Sequence, residues 1–293
     1  MIMNSAIQSM LERYTCASIE DYRNALKEIV QELALLGLYR GGFFSHAAFY
    51  GGTALRIFYG LDRFSEDLDF TLLQPDRSFQ LSKFIGPLRD ELASFGLEMT
   101  VEEKVKSNQS AVRSAFIKGG TQLHLIKIAA VKPPVSGVNP DEQLRIKIEL
   151  DTDPPPSAGV ELKYQLLPVP YSVRMYDAPS LFAGKVHALL CRSWENRVKG
   201  RDFYDYAWNL SRRTPLNMAH LAARLRQTGH LAKNEELAGN DLVEKLLARF
   251  QQVDFQQARK DVELFVSDPK SLALWSADFF TGITRDFLKT GKT

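Results

Sequence analysis

The sequence has little of what marks several large protein classes. Two cysteines occur in 293 residues, Cys16 and Cys191, with no Cys-x-x-Cys and no flanking histidine pair. That excludes a disulfide framework and a cysteine-based zinc site, and both read as buried or idle thiols. No stretch approaches the roughly 18 continuous apolar residues of a membrane span. The opening MIMNSAIQSMLERY lacks the basic start and long apolar core of a secretory signal. A cytoplasmic protein with no membrane role is therefore expected. Charge of one sign is scarce too: 37 Lys and Arg against 35 Asp and Glu leave +2, with a pI near 8.4. Any nucleic-acid surface has to come from local clustering. No internal repeat is apparent. What is there is 45% hydrophobic, 25% charged and 11% aromatic, the composition of a folded soluble protein. The length suffices for one large domain or two modest ones.

The chain is organised around residues 49–73, FYGGTALRIFYGLDRFSEDLDFTLL. Phe49-Tyr50 is an apolar lead-in, and Gly51-Gly52 is a turn that no side chain crowds. Thr53 is expected to cap a helix over Ala54–Tyr59 that Gly60 ends. From Asp67, polar residues alternate with Leu68 and Phe70, the period of a half-buried strand. Asp67 and Asp69 then share a face, about 7 Å apart at the Cα level. A glycine turn at a helix start offers N–H groups to phosphate. Two carboxylates on one face offer oxygens to Mg²⁺. A lone Gly-Gly is usually a turn, and a lone Asp-x-Asp is usually a solvated strand end. Their order within one compact unit favours nucleotidyl or phosphoryl transfer, because like charges on one strand face repel unless a cation compensates.

Gly51-Gly52-Thr53-Ala54-Leu55 followed by Arg63-Phe64-Ser65-Glu66-Asp67-Leu68-Asp69-Phe70 resembles the AbiEii/AbiGii toxin family. These are nucleotidyltransferases of the DNA-polymerase-β-like superfamily, and the group includes the mycobacterial MenT toxins. Superfamily members at large share only the glycine turn and the Asp-x-Asp; the Arg-Phe-Ser-x-Asp-x-Asp-Phe extension narrows the match. The resemblance covers roughly residues 45–210. It implies an α+β fold, a polymerase-β-like mixed sheet flanked by helices, with a C-terminal helical lobe. We place the core at 1–170 and the lobe at 171–293.

Helices are expected at 18–38 and 78–96, and strands at 97–105, 114–118, 121–131, 145–151 and 161–168. A basic run of Lys104, Lys106, Arg113, Lys118, Lys127 and Lys132 crosses this region. It reads as a solvated face or as a shallow phosphate-binding surface. In Arg145–Asp151, Ile146, Ile148 and Leu150 point one way, and Arg145, Lys147, Glu149 and Asp151 the other. By resemblance Glu149 stands where the family carries a third carboxylate, which implies a metal ligand. Its other reading is a surface carboxylate paired with Lys147 or Arg145. The proline-rich 153–159 is a connection.

A helix is expected at 177–192, and a bundle over 217–228, 240–251, 254–266 and 271–289. Ala183-Gly184-Lys185-Val186-His187-Ala188-Leu189 matches the family's Ala-x-Lys-x-x-Ala-Leu, implying that Lys185 reaches the nucleotide phosphates. Arg197–Trp208 resembles the Arg-x-Lys-Asp-Phe-Tyr-Asp block with Gly200-Arg201 before the acid, and Asp202 is the matched position. Asp205 is read as pairing with Arg201 or Lys199, Phe203, Tyr206 and Ala207 as core packing, and Tyr204 as a base stack. His46 and His187 have weak functional claims. Arg212, Arg213, Arg224 and Arg226 either grip RNA or belong to plain scaffold.

The resulting expectation is Mg²⁺-dependent transfer of NMP from NTP, with Mn²⁺ as the alternative ion. Asp67 and Asp69 hold metal; Gly51, Gly52, Thr53, Ser65 and Lys185 bind nucleotide; Asp202 positions it or activates the acceptor. Ser65 reads either as a strand-start hydroxyl or as a site of antitoxin-driven phosphorylation, where added charge would repel NTP and metal. By resemblance the acceptor is a tRNA 3′ end, in a bacterial toxin–antitoxin pair with a separately encoded antitoxin. Three other readings stay open: a protein or small-molecule acceptor, a non-catalytic NTP-binding switch, and an interaction module.

Overall fold

A computed structural model describes residues 5–104, 110–129, 136–194, 197–266 and 268–289. The chain forms two compact units. The first comprises residues 1–54, 65–154 and 161–175, and the second 55–64, 155–160 and 176–293.

In the first unit, α1 (Ser5–Leu11) leads to α2 (Ile19–Arg40), the long helix that covers the sheet. Ser18 starts α2 with a capping box: its Oγ accepts from Asp21 N at 3.2 Å, and the Asp21 carboxylate accepts from Ser18 N at 2.8 Å. The apolar residues Leu26, Ile29, Val30, Leu33 and Leu36 recur at helical spacing and are buried. Gly37 lets α4 (Ile85–Ser94) approach, since a Cβ there would meet Leu88 Cα at 2.9 Å.

The strands are β1 (Ala47–Tyr50), β2 (Leu68–Leu72), β3 (Thr100–Lys104), β4 (Val112–Gly120), β5 (Gln143–Asp151), β6 (Val160–Gln165) and β7 (Tyr171–Tyr176). They form one mixed sheet in the order β3-β4-β5-β2-β1-β7-β6. β2 runs antiparallel to β1 and parallel to β5, and β1 pairs parallel with β7 through Phe49 and Met175. Helix α3 (Gly51–Tyr59) follows β1 directly. With the helices, this is the expected α+β architecture. Phe43 fills the core beneath β2, its ring centroid 5.0 Å from Phe70 and 5.1 Å from Phe84.

Several expected elements differ. Residues 121–131 do not form a strand; Thr121–Ala129 is a helix, α5. Its Leu-His-Leu-Ile alternation mimics a strand, but tertiary contacts decide. His124 is buried with Nδ1 2.7 Å from the Gly120 carbonyl, Leu125 is buried, and Thr121 N donates to Glu142 O at 2.8 Å. The helix expected from Ser78 begins later, with a 3₁₀ turn at Leu81–Phe84 before α4. Ser78 is instead held by the Asp76 carboxylate, which accepts from its N at 2.9 Å and its Oγ at 2.6 Å. β7 is a strand that the expected boundary near 170 hides. Residues 105 and 130–131 of the expected strands, with Lys106 and Lys132, lie outside the described residues.

The second unit is helical: α6 (Ala178–Cys191), α7 (Gly200–Ser211), α8 (Met218–Gln227), α9 (Gly239–Phe250), α10 (Phe255–Glu263) and α11 (Ala277–Lys289). Asp177 caps α6, accepting from Ser180 N at 2.9 Å. In place of one helix over 271–289, a 3₁₀ turn at Pro269–Leu272 precedes α11. Phe203, Tyr206, Phe250 and Phe280 form the core. A Cβ on Gly200 would run into the carbonyl of Ala258, so α7 lies against α10 only with glycine there. The segment 55–64 is tied in through Phe64 N, which donates to Phe265 O at 2.9 Å. Among the described residues no helix is long and apolar enough to cross a membrane.

Phe70→Ala is expected to lower stability by about 3–5 kcal/mol through loss of burial and a residual cavity. Leu264→Ala, at an 81% exposed position, should stay within about 0.5 kcal/mol. Denaturant unfolding followed by circular dichroism checks both.

Candidate active site

In the first unit the organising stretch folds into a strand, a helix start and a second strand. Gly51 has φ +89°, a left-handed conformation, and a Cβ there would collide with the Asp69 carboxylate. The glycine is thus required twice, by its backbone and by the acid beside it. α3 starts at Gly51, so Thr53 sits in its first turn and is not the cap. Its buried hydroxyl donates to the Asp67 carbonyl at 2.5 Å, fixing the helix start to the carboxylate strand.

Register places the acids. Asp69 lies opposite Tyr50 on one side and Glu149 on the other. Paired residues of neighbouring strands project from the same face, with the strands about 4.8 Å apart. Asp67 immediately precedes β2, and its carbonyl is the group that Thr53 holds. Ser114 continues the row beyond Glu149. Its side chain is buried, and its Oγ has no hydrogen-bond partner among the described residues. Phe70, Phe49 and Met175 occupy the opposite face.

Glu149 also meets Lys147, Nζ to Oε1 at 2.7 Å. The lysine-paired reading of Glu149 is thus realised, and the residue is also the register partner of Asp69. Among the described residues no three His, Cys, Asp or Glu side chains converge closely enough to hold a metal ion. The donor set still fits a hard divalent cation in kind and register, since carboxylates on adjacent strand positions suit Mg²⁺ or Mn²⁺. Glu149 would have to exchange Lys147 for the ion. Half-buried Ser65 is anchored through its carbonyl, which accepts from Gln31 Nε2 at 3.0 Å.

The basic run is not one surface. Arg113 and Lys118 fall on opposite faces of β4. Arg113 donates to Arg77 O at 2.6 Å, and Lys118 meets Glu102 at 2.5 Å.

In the second unit, Lys185 projects from the middle of α6, and its Nζ lies 2.7 Å from Asp205 Oδ2. Arg63 takes the same carboxylate in a two-pronged bond, Nε to Oδ1 and Nη2 to Oδ2, both 2.6 Å. Asp205 has no exposed surface and Arg63 almost none. Burial pushes the Asp205 carboxyl up, but Arg63 and then Lys185 outweigh it and hold the group below its ordinary range. The expected pairing of Asp205 with Arg201 or Lys199 is not formed; the Arg201 guanidinium lies over the Phe265 ring at 4.3 Å. Asp202, the residue favoured from sequence, pairs with Arg192 at 2.8 Å.

Asp205 is the residue that sequence reasoning undervalued. The signal lay in the pattern of α7, whose buried positions are 200, 202, 203, 205, 206, 209 and 210. A carboxylate on that stripe requires a buried cation. Tyr204 donates to Asp62 Oδ1 at 2.8 Å and, with Trp208 and Trp275, lines a cavity of about 520 Å³. Burial, then Arg224, pushes the His187 imidazole down to about 4, and it faces Thr228 Oγ1 at 3.0 Å. It is neutral near pH 7, and the partner its ring nitrogen meets is a hydroxyl. His46 lies against the rings of Phe79 and Phe84.

The family described as nucleotidyl transferase AbiEii toxin, type IV TA system, matches residues 33–280. The chain belongs to this family. That makes it a member of the toxin nucleotidyltransferases of type IV toxin–antitoxin systems and implies a separate antitoxin. Similar solved structures include a candidate nucleotidyltransferase from Helicobacter pylori, 18% identical over 90% of this chain and 94% of that one, with a TM-score of 0.47. JHP933 from Helicobacter pylori is 17% identical over 90% and 91%, with a TM-score of 0.45. No curated protein matches the sequence. The AbiEii match includes the carboxylate row of the first unit and the Arg63–Asp205–Lys185 set of the second.

Arg63→Ala leaves Asp205 buried with one cation and should destabilise by about 3–5 kcal/mol. The folded Asp205 pKa lies below the unfolded value near 3.8. Its contribution is therefore full above that value and is lost as pH falls through the folded pKa. In Arg63→Ala the folded pKa rises, so acid unfolding should begin at higher pH than in the parent. A pH titration of tryptophan fluorescence checks the shift.

Proposed function

We propose that this AbiEii-family chain transfers NMP from NTP to the 3′ end of tRNA, with Mg²⁺ as cofactor, and so blocks translation. The observation that carries this reading is the in-register pairing of Asp69 with Glu149 beside a left-handed Gly51 at a helix start.

Asp67 and Asp69 would hold the ion, and Glu149 would complete the set on releasing Lys147. A bound divalent ion supplies charge neutralisation on the triphosphate and makes the acceptor hydroxyl more acidic. Gly51 and Gly52 leave the backbone N–H groups of the helix start open to phosphate oxygens. Thr53 acts indirectly, through its bond to the Asp67 carbonyl. The Lys185 ammonium binds the triphosphate, and Asp205 orients it. Asp202 positions the nucleotide or the acceptor. The acceptor oxygen attacks the α-phosphorus, the bond to the bridging oxygen breaks, and pyrophosphate leaves. The hydroxyl proton passes to a carboxylate of the set. Phosphorylation of Ser65, two residues before Asp67, would place negative charge beside these acids and oppose NTP binding.

Incubation with total tRNA, Mg²⁺ and each α-labelled NTP separately tests the proposal. Label is expected on tRNA from one NTP, and it should be lost in Asp67→Ala. Growth arrest on expression should vanish in Asp67→Ala and in Lys185→Ala. Label on protein would move the acceptor assignment. Nucleotide binding without turnover would replace catalysis by a binding switch, and toxicity retained in both variants would refute the enzymatic reading.

A further inference from the structure

The two edges of the sheet are built differently. A free strand edge is a template for pairing with another chain, and charge is the usual protection. β3, at one edge, reads Thr-Val-Glu-Glu-Lys, with three charges in five residues. β6, at the other edge, reads Val-Glu-Leu-Lys-Tyr-Gln. Its apolar residues are outside: Val160 is 44% exposed, Leu162 53%, Tyr164 69% and the following Leu166 69%. Such a stripe is unusual on a lone chain.

Parity fixes the face that carries it. Gln165 Nε2 donates to Glu32 of α2 at 3.1 Å, and Tyr171 OH donates to the Glu32 carbonyl at 3.0 Å. Gln165, Lys163 and Glu161 therefore lie on the α2 face. Val160, Leu162 and Tyr164 lie on the opposite face, the one bearing Asp69 and Glu149. Lys163 Nζ is 3.5 Å from Glu161 Oε1 within the strand.

We propose that β6 joins two copies of this chain edge to edge, antiparallel about a two-fold axis at Leu162. The sequence is self-complementary in that register and in no adjacent one. Centred on Leu162, Glu161 of each copy faces Lys163 of the other, Val160 faces Tyr164, and Leu162 faces itself. A register centred on Glu161 or Lys163 sets like charges opposite each other, which is destabilising. A register centred on Tyr164 sets Lys163 against Gln165 and forfeits the ion pairs. The contact is isologous, so it closes at two copies. The axis stands perpendicular to the sheet, so both carboxylate rows face the same side of one continuous sheet. A strand of this length buries less than the roughly 800 Å² per partner of a standard interface, so the dimer is weak and concentration-dependent.

Sedimentation velocity of the whole chain tests this. The mass should rise from 33.1 kDa toward twice that value as concentration increases from about 1 to about 300 µM. Glu161→Lys and Lys163→Glu alone should each move the midpoint at least about tenfold upward, since like charges then face each other across the axis. The double reversal restores both cross-pairs and should return the midpoint to within about threefold of the parent. A parent chain that stays at 33.1 kDa throughout overturns the proposal without recourse to any variant. A double reversal no better than the singles overturns it as well. Protection of Leu162 and Tyr164 from footprinting only in the complex with the antitoxin would assign the stripe to that partner and end the homodimer reading.

Discussion

A carboxylate with no exposed surface must be neutralised where it sits, and much of the second unit is arranged around that constraint at Asp205. An unpaired carboxylate there would become protonated or would unfold the unit. The chain meets the constraint with Arg63, 142 positions away, and with Lys185 on a different helix. Arg63 suits the task because its planar fork matches both carboxylate oxygens at once. Its own backbone stays with the helical unit, where residue 64 is bonded to Phe265 and residue 63 bridges to Val266. The segment between the glycine turn and the carboxylate strand is thereby committed to the second unit while its two ends belong to the first.

The first unit answers a different constraint, the gathering of like charges on one sheet face. Asp69 and Glu149 share that face, with Asp67 just before the strand, and two features moderate their repulsion. Lys147 lies at the same parity as Glu149 and meets it directly. The Asp69 carboxylate is seated against Gly51, where no side chain could fit. The opposite face is wholly apolar at the same positions, with Phe70, Ile148 and Leu150 buried. A one-residue slip of β2 against β5 would carry the acids into the core, so the apolar alternation and the acidic row enforce each other.

That mutual enforcement explains why the site was legible in the sequence where it was. Strand parity is local and strict, so the polar side of β2 that carries Asp69, and the inward side of Ile146, Ile148 and Leu150, follow from the order of residues alone. The helices of the second unit were equally accessible, because their apolar spacing is regular. Residues 121–129 were not, since a short apolar run alternates for a strand and for a buried helix alike. What decides it is His124 turning back onto Gly120 and Thr121 bonding to Glu142, contacts that no local pattern encodes. Asp205 illustrates the same limit at longer range. Its neighbours in sequence, Lys199 and Arg201, were the natural partners to name. The true ones are set by which residues the fold brings beneath α7.

The pairing of Lys185 with Asp205 also bears on what a lysine can do in such a place. A flexible ammonium on a four-carbon stem is a poor device for holding a triphosphate in line, because ordering it costs rotamer entropy at each binding event. Here the ammonium is already 2.7 Å from a buried acid that a second cation holds ionised. For the triphosphate contact proposed for Lys185, the ordering would then be met on folding and not on binding, the general advantage of a preorganised site. Asp205 shares its charge between two cations, so the set as a whole remains positive and retains attraction for an anion. Arg63 thus has a role that neither its sequence neighbours nor its distance from Lys185 in the chain would suggest. It lets one carboxylate restrain the lysine while the set of three keeps a net positive charge.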